Sequence, residues 1–224
     1  MITILLPQQN RESQVKGIIF VITLLKRRMN EFVHLAGMSG SLRRESFNTL
    51  LLHAVQQLLP ENTTMEIVSI ADQPLYDADM DVPASTSRPA IVQKFRDILS
   101  SADGIVIASP EYNYSIPGGL KNAIDWASRG QDSPLMNKPV AVMGATTGMW
   151  GTVRMQTAFL PVFTFLNMKP VLKPEVLLAK AQDKFNAEGK LTDDFAKEMI
   201  RKKLEALREI ILKERRSAEL LQYR

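Results

Sequence analysis

Cysteine is absent from the 224 residues, which removes thiol nucleophiles, disulfides and iron–sulfur ligation from the chemistry open to this chain. Histidine is nearly absent: His34 and His53 are the only two, and neither has a second metal ligand at a usable spacing. His34 alternates with Val33 and Leu35, and His53 lies in an amphipathic stretch, so both read as core or surface residues rather than catalysts. Any redox chemistry must then be carried by an organic cofactor. Long apolar runs are also lacking. The run from Gly17 to Leu25 is about half the length a bilayer-crossing helix needs. Lys26, Arg27 and Arg28 follow it, where a signal peptide would have a small-residue cleavage site. No internal repeat and no low-complexity segment occurs.

Charge of one sign is in modest surplus, +4 overall, and its location says more than its size. Between Arg201 and Arg216 stand seven basic and three acidic residues, a surplus equal to the whole net charge. That run is either a patch for nucleic acid or membrane, or the solvated face of a long amphipathic helix. The regular apolar spacing within it favours the helix face.

What is present is one α/β domain of ordinary composition. Residues 1–28 look unlike the rest and read as an extension outside the core fold, or as an extra strand or amphipathic element. From Met29 onward, short apolar runs alternate with helix-length amphipathic segments, the pattern of βα units and a parallel sheet. Strands are expected over Phe32–Gly37, Met65–Ile70, Gly104–Ser109, Pro139–Gly144 and Met168–Leu172. Helices are expected over Phe47–Leu59, Pro89–Ser101, the residues from Pro117-Gly118-Gly119 to Ser128, and Thr152–Leu166. A last helix is capped by Thr192, with Asp193 and Asp194 in its first turn and a stripe of Ala196, Ile200, Leu204, Leu207 and Ile211. An irregular acidic stretch runs from Asp72 to Pro83. Five strands alternating with five helices make a doubly wound, three-layer domain.

Ligands of such sheets bind beyond the carboxyl ends of the strands, where strand order reverses. The loop after the first strand, Gly37 to Asn48, offers hydroxyls on Ser39, Ser41 and Ser46, two arginines, the Asn48 amide and a helix N-terminus. Together these suit a terminal monophosphate. No Gly-Lys-Ser/Thr of a Walker loop and no GxGxxG is present, and a plain capped turn is the alternative. The loop after the third strand, Ser109 to Gly119, is stiffened by two prolines and carries Tyr112, Asn113 and Tyr114. It can shelve a flat ring and hydrogen-bond its polar edge, or its tyrosines can pack on neighbouring loops or at a subunit interface. The Gly- and Thr-rich loop from Gly144 to Gly151 permits close backbone approach, as any turn of that composition does. Asp103 reads as a helix-end polar residue, and Asp125 with Trp126 as packing or interface residues.

The segments Ser39-Gly40-Ser41-Leu42-Arg43 to Ser46-Phe47-Asn48, and Pro110-Glu111-Tyr112-Asn113-Tyr114-Ser115-Ile116-Pro117-Gly118-Gly119 to Trp126, resemble the NADPH-dependent FMN reductase family. The nearest branch is that of the quinone, chromate and azo-dye reductases. The resemblance runs from about Met29 to about Leu212 and leaves residues 1–28 unmatched. It implies a flavodoxin-like three-layer sandwich with a five-stranded parallel sheet of order 2-1-3-4-5, non-covalent FMN, and a cytoplasmic homodimer or homotetramer. By the family pattern Ser41, Arg43, Ser46, Phe47 and Asn48 surround the FMN phosphate, with Ser39 and Leu42 in the same loop. Pro110, Glu111, Tyr112, Asn113 and Tyr114 lie along the isoalloxazine ring, with Thr146 and Gly148 nearby. Relatives commonly carry serine at the Thr146 position, and several carry a second glycine beside Gly151 where this chain has Thr152.

The implied reaction passes hydride from NADPH or NADH through FMN to small acceptors such as quinones, azo compounds, chromate or flavin. It needs no catalytic side chain, metal, nucleic acid or membrane. An electron-transfer protein of the flavodoxin type is the rival reading, although its acidic surface is not matched by this mildly basic chain. A module that kept the fold without the cofactor is a third.

Overall fold

The computed structural model describes residue 15, residues 31–81 and residues 88–222. The extension expected over residues 1–28 lies, but for Val15, outside them. Six strands occur in chain order: β1 Val33–Ser39, β2 Thr63–Val68, β3 Gly104–Ala108, β4 Pro139–Ala145, β5 Lys169–Pro170 and β6 Leu177–Leu178. The helices are α1 Phe47–Gln57, α2 Ala90–Ser101, α3 Gly118–Ala127, α4 Val153–Ala158, α5 Leu160–Phe165 and α6 Asp194–Gln222. All strand pairings are parallel, in the order β2-β1-β3-β4-β5, with β6 paired to β4 farther along.

The two faces of the sheet explain why β3 and β4 read as continuous apolar runs. Val106 and Ala108 of β3 join one core layer, with Leu51, Leu52 and Val55 of α1 and Ile200, Leu204 and Leu207 of α6. Ile105 and Ile107 join the other, with Phe95 and Leu99 of α2, Leu120 and Ile124 of α3, and Phe159 and Phe163. A strand covered on both sides gains nothing from polar alternation. The stripe expected on the last helix is buried at all five positions. Each such side chain contributes about 1.5–3 kcal/mol of transfer free energy when large and aliphatic.

Four expectations need correcting. The helix expected over Thr152–Leu166 is two helices, with Pro161 in the first turn of α5; proline lacks the N–H that a continuous helix would use there. The fifth strand shrinks to Lys169–Pro170, because the chain leaves the sheet edge after Val171, whose N–H still reaches the Val140 carbonyl at 2.8 Å, and returns at Val176 to make the unforeseen β6. The cap of α6 is Asp193, whose Oδ1 accepts from the Ala196 N–H at 2.7 Å, while Thr192 Oγ1 donates instead to the Lys184 carbonyl. The basic run of α6 is not only a solvated face. Lys203 is buried and donates to the carbonyls of Val171 (2.8 Å) and Pro174 (3.0 Å), pinning the excursion between β5 and β6; burial lowers its pKa to about 8. Arg208 and Arg215 bind the carbonyls of Glu31 and Phe32, and Arg215 pairs with Asp103 at 2.5 Å, so α6 holds the chain entering β1.

The acidic stretch after β2 is a strap fastened to α3. Asn122 Nδ2 and Trp126 Nε1 both donate to the Pro74 carbonyl (2.9 and 2.8 Å), and Asn122 Oδ1 accepts from the Tyr76 N–H at 2.8 Å. The far end of the strap is held by charge. Arg88, its side chain fully buried, binds Asp81 through Nε and Asp132 through Nη1 at 2.7 Å. Arg96, also buried, donates to the carbonyls of Trp126, Arg129 and Asp132 and contacts the Asp132 carboxylate at 3.0 Å. The Arg88 hydrogen bond holds the Asp132 carboxyl down at about 2. Among the described residues no helix is long and apolar enough to cross a membrane.

Candidate functional site

The loops after β1, β3 and β4 adjoin at the carboxyl end of the sheet, where the order reverses between β1 and β3. Close approach of backbones makes this possible. A Cβ on Gly40 would sit 2.2 Å from Ser109 Oγ, and one on Gly144 would sit 2.4 Å from the Ser109 carbonyl oxygen. Only glycine fits at either contact.

In the loop after β1, Ser46 caps α1, its hydroxyl accepting from the Asn48 N–H at 3.2 Å. Ser39 Oγ accepts from Thr49 Oγ1 (3.0 Å) and from the Ser41 N–H (3.3 Å), and Ser41 Oγ accepts from the Arg43 N–H (3.3 Å). The N–H groups of Leu42, Arg44 and Glu45 find no partner among the described residues. Arg43 is exposed, and among the described residues its ion-pair partner is Glu45 at 4.0 Å. Unspent amides, hydroxyls, an exposed guanidinium and the N-terminus of an eleven-residue helix converge here, which is the donor set a phosphate monoester requires. The residues fit FMN at its phosphate end.

Two members of the expected set have other partners. Phe47 packs its ring on Phe185, with centroids 5.7 Å apart, so its side chain belongs to the packing beneath the loop. The buried amide of Asn48 spans to β4: Oδ1 accepts from the Ala145 N–H at 2.8 Å and Nδ2 donates to the Ala145 carbonyl at 2.9 Å. Asn48 thus ties the loop after β1 to the end of β4.

The loop after β3 is a closed turn. Tyr112 and Ser115 exchange backbone hydrogen bonds of 3.1 and 2.9 Å, and both residues between them, Asn113 and Tyr114, have positive φ (49° and 63°). Tyr112 and Tyr114 are exposed, and Pro110 is half-buried. This is an aromatic shelf of the kind a flat ring needs. Glu111 turns away from it. Its carboxylate accepts from the N–H groups of Arg154 (2.9 Å) and Met155 (3.2 Å) at the start of α4, and from Arg154 Nη1 at 3.1 Å.

The loop after β4 is stitched to β6. Thr146 exchanges backbone bonds with Leu178 and Ala181, the Gly148 carbonyl accepts from the Lys180 N–H, and Thr146 Oγ1 accepts from the Gly148 N–H at 3.2 Å. Met149 and Trp150 project into solvent beside the shelf. The Arg154 guanidinium lies 4.1 Å above the Tyr114 ring and 5.8 Å from that of Trp150. Sequence reasoning singled out neither Arg154 nor Trp150. An exposed tryptophan in a glycine-rich loop was a usable signal, whereas Arg154 is joined to Glu111 across 43 positions and leaves no local trace.

The sequence profile described as NADPH-dependent FMN reductase matches residues 33–183. An NAD(P)H-dependent FMN reductase of Pseudomonas aeruginosa is 41% identical over 179 residues, covering 80% of this chain and 95% of the relative. A quinone reductase of Escherichia coli is 38% identical over 185 residues, covering 82% and 97%. Among solved structures, the flavoenzyme NAD(P)H:acceptor oxidoreductase of Paracoccus denitrificans superposes with a TM-score of 0.72 at 29% identity, covering 81% of this chain and 98% of that one.

Proposed function

The chain belongs to the NADPH-dependent FMN reductase family, and from that premise we propose how its three loops divide the work of an NAD(P)H-dependent, FMN-containing oxidoreductase. The loop after β1 holds the phosphate through the Ser39, Ser41 and Ser46 hydroxyls, the Arg43 guanidinium and the free amides of Leu42, Arg44 and Glu45. The closed turn from Tyr112 to Ser115 shelves the ring, with Tyr112 presenting an aromatic face and Pro110 stiffening the approach. Thr146 and Gly148 border the ring's far edge. Asn48 and Phe47 serve the site from behind, by fixing the loop that carries the donors. FMN, when bound, supplies the chemistry by accepting hydride from the nicotinamide and passing electrons to an acceptor. The protein's own part is to orient and enclose the reactants. The observation that carries this reading is the set of unspent donors converging at the start of α1.

Small planar acceptors of the quinone type suit an open, aromatic mouth formed by Tyr112, Tyr114, Met149 and Trp150, all exposed. Cytoplasmic location belongs to the same proposal, as does a homodimer or homotetramer. The exposed side of α3, with its Lys121–Asp125 ion pair, is the face offered for assembly.

Anaerobic mixing of the FMN-loaded protein with NADPH is expected to discharge the yellow colour within the time of one turnover, and quinone to restore it. A yellow protein that keeps its colour with NADPH and NADH would be an electron shuttle instead, and a colourless one would have no flavin site. Arg43→Ala is expected to weaken FMN binding by about 1.5–3 kcal/mol, the range of a charge-assisted hydrogen bond. Equilibrium dialysis returning the wild-type affinity would take Arg43 out of the cradle.

A further inference from the structure

We propose that Glu111 and Arg154 form a latch that holds the flavin shelf in shape, making both of them positioning residues for the ring end of the site; the inference rests on the flavin-site reading above. The turn they serve is under strain. Asparagine tolerates a left-handed backbone, but a tyrosine at φ 63° costs on the order of 1–2 kcal/mol, and such conformations persist only where surroundings over-determine them. The two bonds between Tyr112 and Ser115 close the turn without fixing the Tyr114 side chain. Arg154 does that, its guanidinium stacked 4.1 Å over the ring.

Arg154 is itself held. Glu111 Oε1 accepts from its Nη1 at 3.1 Å, and Glu111 Oε2 accepts from its backbone N–H at 2.9 Å and from that of Met155 at 3.2 Å. The Glu111 side chain is 11% exposed and the Arg154 side chain 37%, so the carboxylate end of the pair is sheltered while the guanidinium reaches the surface over Tyr114. The circuit leaves the loop after β3 at Glu111, passes through the first turn of α4, and returns to the same loop at Tyr114. A strained turn is thereby referenced to a helix beyond the neighbouring strand.

Two consequences separate this from simple packing. Both Glu111 oxygens are spent within the protein, so Glu111 shapes the shelf through Arg154 and is not a free acid or base. One face of Tyr114 is covered by the guanidinium, which leaves Tyr112 to offer the open aromatic surface. Loss of the latch should then disturb ring binding while leaving the phosphate cradle, built by a different loop, unaffected.

Flavins with and without the phosphate provide the test, using apoprotein titrated with FMN and with riboflavin by fluorescence quenching, and the visible circular dichroism of the bound ring as a geometric readout. Arg154→Met and Tyr114→Ala are expected to weaken both ligands by the same factor, roughly tenfold, and to change the dichroism. Tyr114→Phe, which keeps the ring under the guanidinium, should recover most of what Tyr114→Ala loses, and Arg154→Lys should recover part of the Arg154→Met loss. Arg43→Ala should by contrast weaken FMN alone. Variants that bind both flavins within twofold of wild type with an unchanged spectrum overturn the latch. Loss of FMN affinity alone in Arg154→Met also overturns it, because it would move Arg154 to the phosphate. Wild-type protein that binds neither flavin overturns the site reading itself, and the latch with it.

Discussion

Arg88→Met is expected to lower the free energy of unfolding by about 3–5 kcal/mol, because it leaves a buried carboxylate without its counter-charge. Asp81 is 5% exposed at its side chain and its one ion-pair partner among the described residues is Arg88, so the substitution strands a charge that water cannot reach. The Asp132 arm contributes less, since that carboxylate is half exposed and screened. It nevertheless sets an acid dependence. Its carboxyl is held at about 2 against an ordinary 3.8, chiefly by the Arg88 hydrogen bond. A depressed carboxyl stabilises the fold above its unfolded pKa, and that contribution is lost as pH falls from 3.8 toward 2. In Arg88→Met this part of the acid transition should shrink to what the Arg96 contact still sustains, while the deficit at neutral pH persists. Urea unfolding at pH 7 and at steps down to pH 2, followed by far-ultraviolet circular dichroism, measures both. A wild-type urea midpoint in the variant would mean that the strap is held by the Pro74 and Tyr76 contacts alone.

The succession of strands and helices along the chain and the stripe on α6 were legible in the sequence because both are set by local apolar periodicity, whereas the order of the strands within the sheet came from the family resemblance. Pro161 was visible too, yet the single helix expected over Thr152–Leu166 ran through it, and the break appears only in the structure. The two-residue β6 carried no such mark. It runs against Gly151, where a Cβ on the glycine would meet Leu177 Cβ at 2.8 Å, a long-range contact that no local pattern announces. At the site, the loops were legible and the partners were not. Among the described residues the hydroxyl protons of Ser41 and Ser46 face no hydrogen-bond acceptor, and the Arg43 guanidinium none closer than the Glu45 carboxylate at 4.0 Å, whereas the Ser39 hydroxyl is directed at the Ser41 carbonyl. Asn48 and Glu111 are short polar residues in the same loops, yet their partners lie 97 and 43 positions away. Nothing in a local motif distinguishes a side chain aimed at a ligand from one aimed at a distant backbone.

That distinction yields the other large expected effect. Asn48→Ala should cost about 2–4 kcal/mol of stability, since the Ala145 N–H and carbonyl are both left unpaired in a buried setting. FMN affinity should fall with it, as the loop carrying the phosphate donors loses its tie to β4. Asn48→Asp sharpens the argument. An ionised carboxylate can still accept from the Ala145 N–H, as Oδ1 now does at 2.8 Å, but it has no proton for the Ala145 carbonyl that Nδ2 now reaches at 2.9 Å. A protonated carboxyl has one, so folding favours the neutral acid and raises the pKa of the new group above the roughly 3.9 of an unfolded aspartate. The stability of Asn48→Asp should therefore approach wild type as pH falls to that value and drop away as pH rises through the elevated folded pKa. Paired urea titrations of the two proteins between pH 4 and pH 8 measure the gap. A deficit that stays constant over that range would show that the Asn48 amide donates nothing essential to Ala145, and the tie between the loops would have to be sought elsewhere.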